Sequence, residues 1–302
     1  MKTNKLINGI LIGALMIAPL AQAKNTTVEK GKNLMSAEQT KKSDKALKAA
    51  EKEQSALLEK VNKGVLEGYE KVLEATALLT QEGKEQEAIS ALQAATGKFD
   101  VAMTANPGLK LVAIDGNVSM TALITSPKII NDELDVAIDL LKNHKVQGAR
   151  TLLEPMQDEM VITTAYLPMG TYPDAIKLAT KYLVKGKKED AIATLATTLS
   201  TIVVETKIIP LALVRAESLL ITASELDKNK EKVEAHKLLD AAYEQLEIAT
   251  LLGYTDKESK AYDAMKAQIK AVKKEIDGKN AVEKMYDKVK ASVKNLIKKL
   301  AK

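Results

Sequence analysis

Apolar residues recur along most of the chain at the three- and four-residue spacing of one face of an α-helix, and short polar turns separate these stretches. One pattern returns at three turns, where a corner residue is followed by Ala after five positions and by Leu four positions later. Gly83 precedes Ala88 and Leu92, His144 precedes Ala149 and Leu153, and Gly186 precedes Ala191 and Leu195. Since Ala and Leu at this spacing share a helix face, the pattern predicts antiparallel helical hairpins.

The corner residues fit the ends of helices. Gly adopts the left-handed conformation that closes a helix, and His tolerates it better than most residues do. A helix-ending role is therefore preferred for His144 over a ligand role. A looser fourth copy runs through Asn229, Ala235 and Leu239, and the uneven spacing of the copies argues against a regular solenoid.

Helix starts are marked at several places. Ser36 and Gln39 have the spacing of a capping box, and Ser126 followed by Pro127 is typical of an N-cap and first helical residue. Further helices are predicted to begin near Thr171–Asp174 and at Pro210.

Two segments interrupt the helical pattern. Residues 109–115 (LKLVAID) lie between a turn and Gly116 and are compatible with an extended segment. Residues 201–210 (TIVVETKIIP) are rich in β-branched residues, but the helical patterns on both sides favour helix for most of them. We therefore predict an all-α protein, an irregular array of antiparallel helical hairpins with room for one short extended segment near 109–115.

The first residues follow the order of a secretory signal peptide. Lys2 and Lys5 precede an apolar run from Leu6 to Leu20, and Ala21-Gln22-Ala23 provides small residues for cleavage. We expect cleavage after Ala23, a mature chain that begins at Lys24 and a periplasmic location. An uncleaved N-terminal anchor is the less favoured alternative. No later segment is long and apolar enough to span a membrane.

Composition removes many kinds of catalytic and binding site. The chain has 302 residues, no Cys, no Trp and two His, which excludes thiol nucleophiles, Cys-ligated metals and three-His sites. Neither His144 nor His236 has partners at metal or triad spacing, and no phosphate-binding or nucleophile motif occurs. We predict no catalytic residue, no metal and no cofactor. With 3% aromatic residues and no basic stretch interleaved with them, nucleic-acid binding is not expected.

One connector has unusual chemistry. Residues 166–173 (YLPMGTYP) place two Tyr, two Pro and one Met in a segment without helical pattern. Connectors often carry binding function, so a ligand groove is one interpretation, and a rigid linker whose Tyr side chains cover the core is the preferred one. The candidate binding residues are Tyr166, Pro168, Met169 and Tyr172.

The last 24 residues form a cationic amphipathic stretch. The formal charge of the whole chain is +5, whereas residues 279–302 carry +6 and the predicted signal peptide carries +2, so the body from Lys24 to Gly278 is mildly acidic at −3. Apolar residues from Val282 to Leu300 form a helical stripe. Such a helix binds anionic membranes or packs on protein, and docking on the body or on another subunit is the preferred interpretation.

Several segments together resemble the YfdX family of bacterial exported proteins. They are residues 111–115 (LVAID), 166–191 (YLPMGTYPDAIKLATKYLVKGKKEDA), 208–220 (IIPLALVRAESLL) and 251–254 (LLGY). The resemblance implies a mainly helical periplasmic protein associated with acid or drug stress, with chaperone-like or small-molecule-binding behaviour. It supplies no catalytic residues.

The expected organisation and function follow from these observations. Residues 1–23 are a signal peptide, 24–35 a flexible leader, 36–78 a polar helical segment, 79–278 a YfdX-like helical domain and 279–302 the cationic helix. We expect a non-enzymatic binding or chaperone-like protein whose partners are protein clients or small molecules. The apolar hairpin faces are compatible with homo-oligomerisation. The alternatives are a membrane-associated protein, acting through residues 279–302, and an unrecognised hydrolase.

Overall fold

A computed structural model of the protein describes residues 25–58, 62–227, 229–255, 260–278 and 282–300. The predicted cleavage residues Ala21, Ala23 and Lys24 lie outside this range, as do residues 279–281 and 301–302 of the predicted cationic helix. The described part of the chain is mostly helical and also contains a four-stranded mixed sheet.

Within the described residues there are eleven helices and four strands, and groups of two to four helices separate or follow the strands after β1. Their order is β1 Thr26–Glu29, α1 Ala37–Leu58, α2 Lys63–Leu79, α3 Glu85–Ala105, β2 Leu111–Ile124, α4 Pro127–Lys142, α5 Val146–Leu153, β3 Glu159–Pro168, α6 Tyr172–Val184, α7 Lys188–Leu199, β4 Val203–Pro210, α8 Leu211–Ser224, α9 Lys232–Leu251, α10 Lys260–Ile276 and α11 Glu283–Leu300.

The sheet corrects the all-α prediction. Its strand order is β1-β2-β3-β4, and β1 runs parallel to β2 with Thr26 opposite Thr121 and Glu29 opposite Ile124. The extended segment predicted near 109–115 is present, but β2 continues to Ile124. The prediction of a helix for most of residues 201–210 is wrong, because β4 occupies Val203–Pro210. Here the β-branched residues follow their strand propensity once a neighbouring strand is available, which the flanking sequence does not reveal.

The segment predicted as a flexible leader also contributes to the sheet. Residues 26–29 form β1, and the Lys30 amide donates to the Ile124 carbonyl at 2.8 Å. Its sequence, TTVE, has three β-formers and too few residues to show a pattern. Pairing with β2 supplies the hydrogen bonds that stabilise so short a strand.

The predicted helix boundaries are confirmed at several points. Ser36 and Gln39 bond each other reciprocally as a capping box, with N···O distances of 3.0 and 3.3 Å. The Ser126 hydroxyl accepts from the Ile129 amide, and Pro127 is the first residue of α4. Helix α6 begins at Tyr172, and α8 follows directly on Pro210.

The three hairpin corners are confirmed as well. Gly83, His144 and Gly186 have φ angles of 75°, 58° and 70°, all in the left-handed region. At His144 the corner closes with a 2.8 Å hydrogen bond from the Lys145 amide to the Leu140 carbonyl, which is typical of a helix end of this kind. His144 therefore has a conformational role in the fold.

Contacts divide the chain into two compact units, each with its own apolar core. Unit 1 comprises Ser55–Asn117 and Thr163–Thr206 among the described residues. In it α2 packs on α3, α3 on α6, and α6 on α7. A Cβ added at Gly68 would lie 2.6 Å from the Phe99 ring, so Gly68 allows α2 and α3 to approach closely.

Unit 2 comprises Val118–Ile162 together with residues 25–54 and 207–300. Helix α8 packs on α9 and α11, and α10 packs on α9 and α11. Tyr286, Val289 and Val293 of α11 are buried in this core. Docking of the cationic helix on the body is thus confirmed for residues 283–300. None of the described helices has the length and apolarity needed to cross a membrane.

Candidate functional site

The connector predicted from residues 166–173 bridges a strand and a helix of unit 1. Tyr166 and Pro168 end β3, a short turn follows, and Tyr172 opens α6. The Met169 amide donates to the Lys110 carbonyl at 2.8 Å, which fixes the turn beside the start of β2. Tyr166 and Pro168 are half-buried, whereas Met169 is fully buried.

Tyr172 belongs to the core of unit 1. Its side chain is fully buried, and its ring meets the Phe99 ring edge to face at a centroid distance of 5.8 Å. Burial, reinforced by the nearby Tyr69, raises the pKa of the Tyr172 hydroxyl far above its usual range. The hydroxyl has no hydrogen-bond partner among the described residues. Tyr172 thus covers the core, as the preferred interpretation of the connector predicted.

A cavity of about 480 Å³ opens where this turn meets the end of α3. Ligand pockets commonly have volumes of about 300–1,000 Å³, so the space is large enough for a small molecule. We name it the Gly170 cavity. Its lining residues are Asp100, Met103 and Thr104 from α3, Met169 and Gly170 from the turn, and Pro173, Asp174 and Lys177 from α6.

The floor and the rim of the Gly170 cavity differ in chemistry. Met169 and Pro173 are buried and offer little surface to a bound molecule, so the half-buried Met103 provides most of the accessible apolar surface among these three residues. At the rim, Lys177 Nζ lies 2.9 Å from Asp100 Oδ1, with both side chains about half exposed. The hydrogen bond to Asp100 raises the pKa of Lys177, and Asp174 adds to this at longer range. This arrangement suits reversible binding of a molecule with an apolar part.

Of the four residues predicted for the connector, only Met169 lines the Gly170 cavity. The residues missed from the sequence are chiefly Asp100, Asp174 and Lys177. Asp174 and Lys177 lie three positions apart on one helix face, which is a weak signal. Nothing in the sequence indicates that the end of α3 would lie beside that face.

Unit 2 contains a buried ion pair that the sequence also did not reveal. Arg215 and Asp158 are 6% and 0% exposed in their side chains. Asp158 Oδ1 also accepts from the Leu123 amide at 3.0 Å, and the Tyr254 hydroxyl accepts from the Asp158 amide at 3.1 Å. Tyr254 in turn donates to Glu159 at 2.7 Å. Because Arg215 and Asp158 pair with each other and are both buried, with little access for a ligand, this network is structural.

Neither histidine is among the described residues that line the Gly170 cavity or that form the network around Arg215 and Asp158. His144 is the exposed corner between α4 and α5. His236 lies on α9, with Nε2 3.4 Å from Asp277 Oδ1, and Lys232 contacts the same carboxylate. Across the described ranges, no three His, Cys, Asp or Glu side chains are grouped so that they could hold a metal ion.

Comparison with known proteins points to one family. A family model described as "YfdX protein" matches residues 69–208. Among the solved structures that match is YfdX from Salmonella Typhi, which is 15% identical over 50% of this chain and 93% of its own, with a TM-score of 0.35. No curated protein matches the chain.

The family match covers the central part of the chain. The segments at residues 111–115 and 166–191 lie inside the matched range, and those from residue 208 onward extend past it. The resemblance to the YfdX family is therefore confirmed, and residues 69–208 are the part of the chain that the family model matches.

Proposed function

We propose that this protein is an exported, stress-associated binding protein that takes up small molecules with an apolar part in the Gly170 cavity. One observation carries the proposal: unit 1 has a cavity of about 480 Å³ whose lining combines the half-buried Met103, the exposed Gly170 and a rim of charged side chains. Methionine adapts its shape to different partners, which suits a site that accepts related molecules. The stress association rests on the family resemblance, and export rests on the N-terminal sequence.

Filling the cavity tests the proposal. A Cβ at Gly170 would meet no atom within 4 Å, so a larger side chain is tolerated there and enters the open space. We expect apolar amines, acids and neutral aromatics, screened by thermal shift, to include molecules that raise the melting temperature of the wild type and not of Gly170→Leu. If no molecule does so, or if the variant responds equally, the proposal fails.

A second proposed function is chaperone-like binding of protein clients, supported by an apolar surface on unit 2. Ile138 and Leu141, three positions apart on α4, and Val146 of α5 are exposed, with exposed fractions of 46–57%. Several large apolar side chains on one exposed hairpin are typical of a protein-binding surface. This surface is separate in sequence from the residues that line the Gly170 cavity.

Aggregation assays distinguish this second function. The wild type should slow the thermal aggregation of a model client, and the double variant Ile138→Ser/Val146→Ser should lose most of that effect. Val233 is 69% exposed on α9, so Val233→Ser is a matched control that should retain it. Unchanged suppression by the double variant would contradict a role for this hairpin.

Location is tested independently of binding. If export and cleavage occur as the sequence predicts, mass spectrometry of the protein from the periplasmic fraction should give a chain that begins at Lys24. Recovery of an intact N-terminus that includes Met1–Ala23 would contradict the export part of the proposal.

A further inference from the structure

The rim of the Gly170 cavity carries more negative than positive side chains. Asp100 and Lys177 pair with each other at 2.9 Å. Asp174, which also lines the cavity, is exposed and makes no salt bridge within the described part of the chain. Two carboxylates and one ammonium give the lining a formal charge of −1.

The amino end of α6 borders the same space. A free helix N-terminus attracts anions through its unpaired amide groups and dipole. Here Asp174 stands in the first turn of α6 and already places a carboxylate beside that end. The positive end of the α6 dipole is therefore already paired with the Asp174 carboxylate. The lining as a whole, with its formal charge of −1, favours a positive group at its rim.

The apolar part of the lining determines what the uncharged part of a ligand can be. Met169 and Pro173 are buried, so the half-buried Met103 provides most of the accessible apolar surface among these three residues. A molecule that packs an apolar body against Met103 can place a cationic group next to Asp174. Such a contact is charge-assisted, which makes it stronger than a neutral hydrogen bond.

We propose that the Gly170 cavity selects amphipathic organic cations, with Asp174 as the residue that determines the charge preference and Met103 as the main contact for the apolar body. This inference rests on the proposed small-molecule function and specifies its ligand class. Lys177 holds Asp100 in place, so that Asp174 is the carboxylate left to receive the cation.

Three probes of one shape and different charge test the inference. They are 4-phenylbutylamine, 4-phenylbutanol and 4-phenylbutyrate, titrated against the wild type by calorimetry at low ionic strength. The amine should bind about tenfold more tightly than the alcohol, because a hydrogen bond to a charged group contributes more than a neutral one. The acid should bind most weakly, and added salt should reduce the preference for the amine.

Variants and controls locate the effect. Asp174→Asn should bring the affinity for the amine down to about that of the alcohol. Asp190→Asn removes the corresponding first-turn carboxylate of α7 and should change nothing. Gly170→Leu should abolish binding of every probe. Gly97→Leu, at another glycine with open space around it, should leave binding intact.

The outcomes separate the two levels of the proposal. Equal binding of all three probes that is abolished by Gly170→Leu would overturn the preference for cations and leave the binding function standing. An amine preference that survives Asp174→Asn would overturn the role of Asp174. If no probe binds, or if Gly170→Leu has no effect on binding, both the ligand class and the function of this cavity are overturned.

Discussion

Arg215 donates from a single guanidinium nitrogen, Nη1, to both carboxylate oxygens of Asp158, at 2.9 and 2.7 Å, inside unit 2. Asp158 also binds the Leu123 amide of β2 through its side chain and the Leu211 amide of α8 through its carbonyl. Asp158, which directly precedes β3, thus connects β2 with the start of α8, the most apolar helix. The pair fixes where α8 begins relative to the strands of its own unit.

Removing the acid should therefore be costly. Asp158→Asn leaves the Arg215 charge buried without its partner, and we expect unfolding in denaturant to show a loss of about 3–5 kcal/mol in the free energy of unfolding. Lys128–Asp132 is an exposed pair of similar length, so Asp132→Asn should change that free energy by less than about 1 kcal/mol. Equal effects of the two substitutions would contradict the structural role of Asp158.

Substitution by alanine at two helical glycines of unit 1 should change the free energy of unfolding in opposite directions. Gly68→Ala places a Cβ 2.6 Å from the Phe99 ring, and the resulting overpacking should lower the free energy of unfolding by about 1–3 kcal/mol. Gly97→Ala meets no neighbour and should raise it by about 0.5–1 kcal/mol, because alanine favours helix. Thermal and denaturant unfolding of both variants decide this, and a stabilising Gly68→Ala would refute the close approach of α2 and α3.

His144 should be replaceable by glycine with a gain in stability. Its φ angle of 58° is strained for a residue with a side chain and is natural for glycine. His144→Gly should raise the free energy of unfolding by about 1 kcal/mol, while His144→Val should lower it, since a β-branched residue is least tolerated in this conformation. A loss of stability in His144→Gly would show that the imidazole makes contacts of its own.

The pH dependence of stability should include Glu244. Its carboxylate accepts from the Leu34 amide at 2.6 Å, yet burial dominates and raises the pKa of Glu244 above its ordinary value of 4.5. Protonation is thus favoured by folding, so its stabilising contribution is complete below pH 4.5 and is lost as the pH rises through the raised pKa.

Substitution by glutamine isolates that contribution. Glu244→Gln retains an oxygen that can accept from Leu34 and removes the buried charge, so its stability relative to the wild type should improve between pH 4.5 and 7. Glu225→Gln replaces an exposed glutamate and should show no such trend. A relative stability of Glu244→Gln that falls over this interval would reverse the sign and contradict the burial argument.

The structural features that could be predicted from the sequence are those that a short segment determines by itself. The capping box at Ser36 and Gln39 and the corners at Gly83, His144 and Gly186 depend on residues a few positions apart, and each is confirmed. The sheet could not be predicted in the same way, because β1 pairs with a part of β2 about ninety residues later. Residues 203–210 adopt a strand through this kind of long-range pairing, against the helical pattern around them.

The candidate site illustrates the same limit. The connector was identified by its Tyr, Pro and Met content. The preferred interpretation was that its Tyr side chains cover the core, and Tyr172 fits that description. The Gly170 cavity also needs Asp100, which lies more than seventy residues from Asp174 in the sequence. Only the packing of α3 on α6 brings these two carboxylates to the same space.

The central claim is that a small molecule occupies the Gly170 cavity, and methyl NMR of the methionines tests it most directly. Adding 4-phenylbutylamine should shift the Met103 and Met169 methyl signals, which belong to the cavity, and leave those of Met156 and Met160 in unit 2 in place. Gly170→Leu should remove the response. Unchanged Met103 and Met169 signals at saturating amine, or equal shifts in the Gly170→Leu variant, would contradict the account.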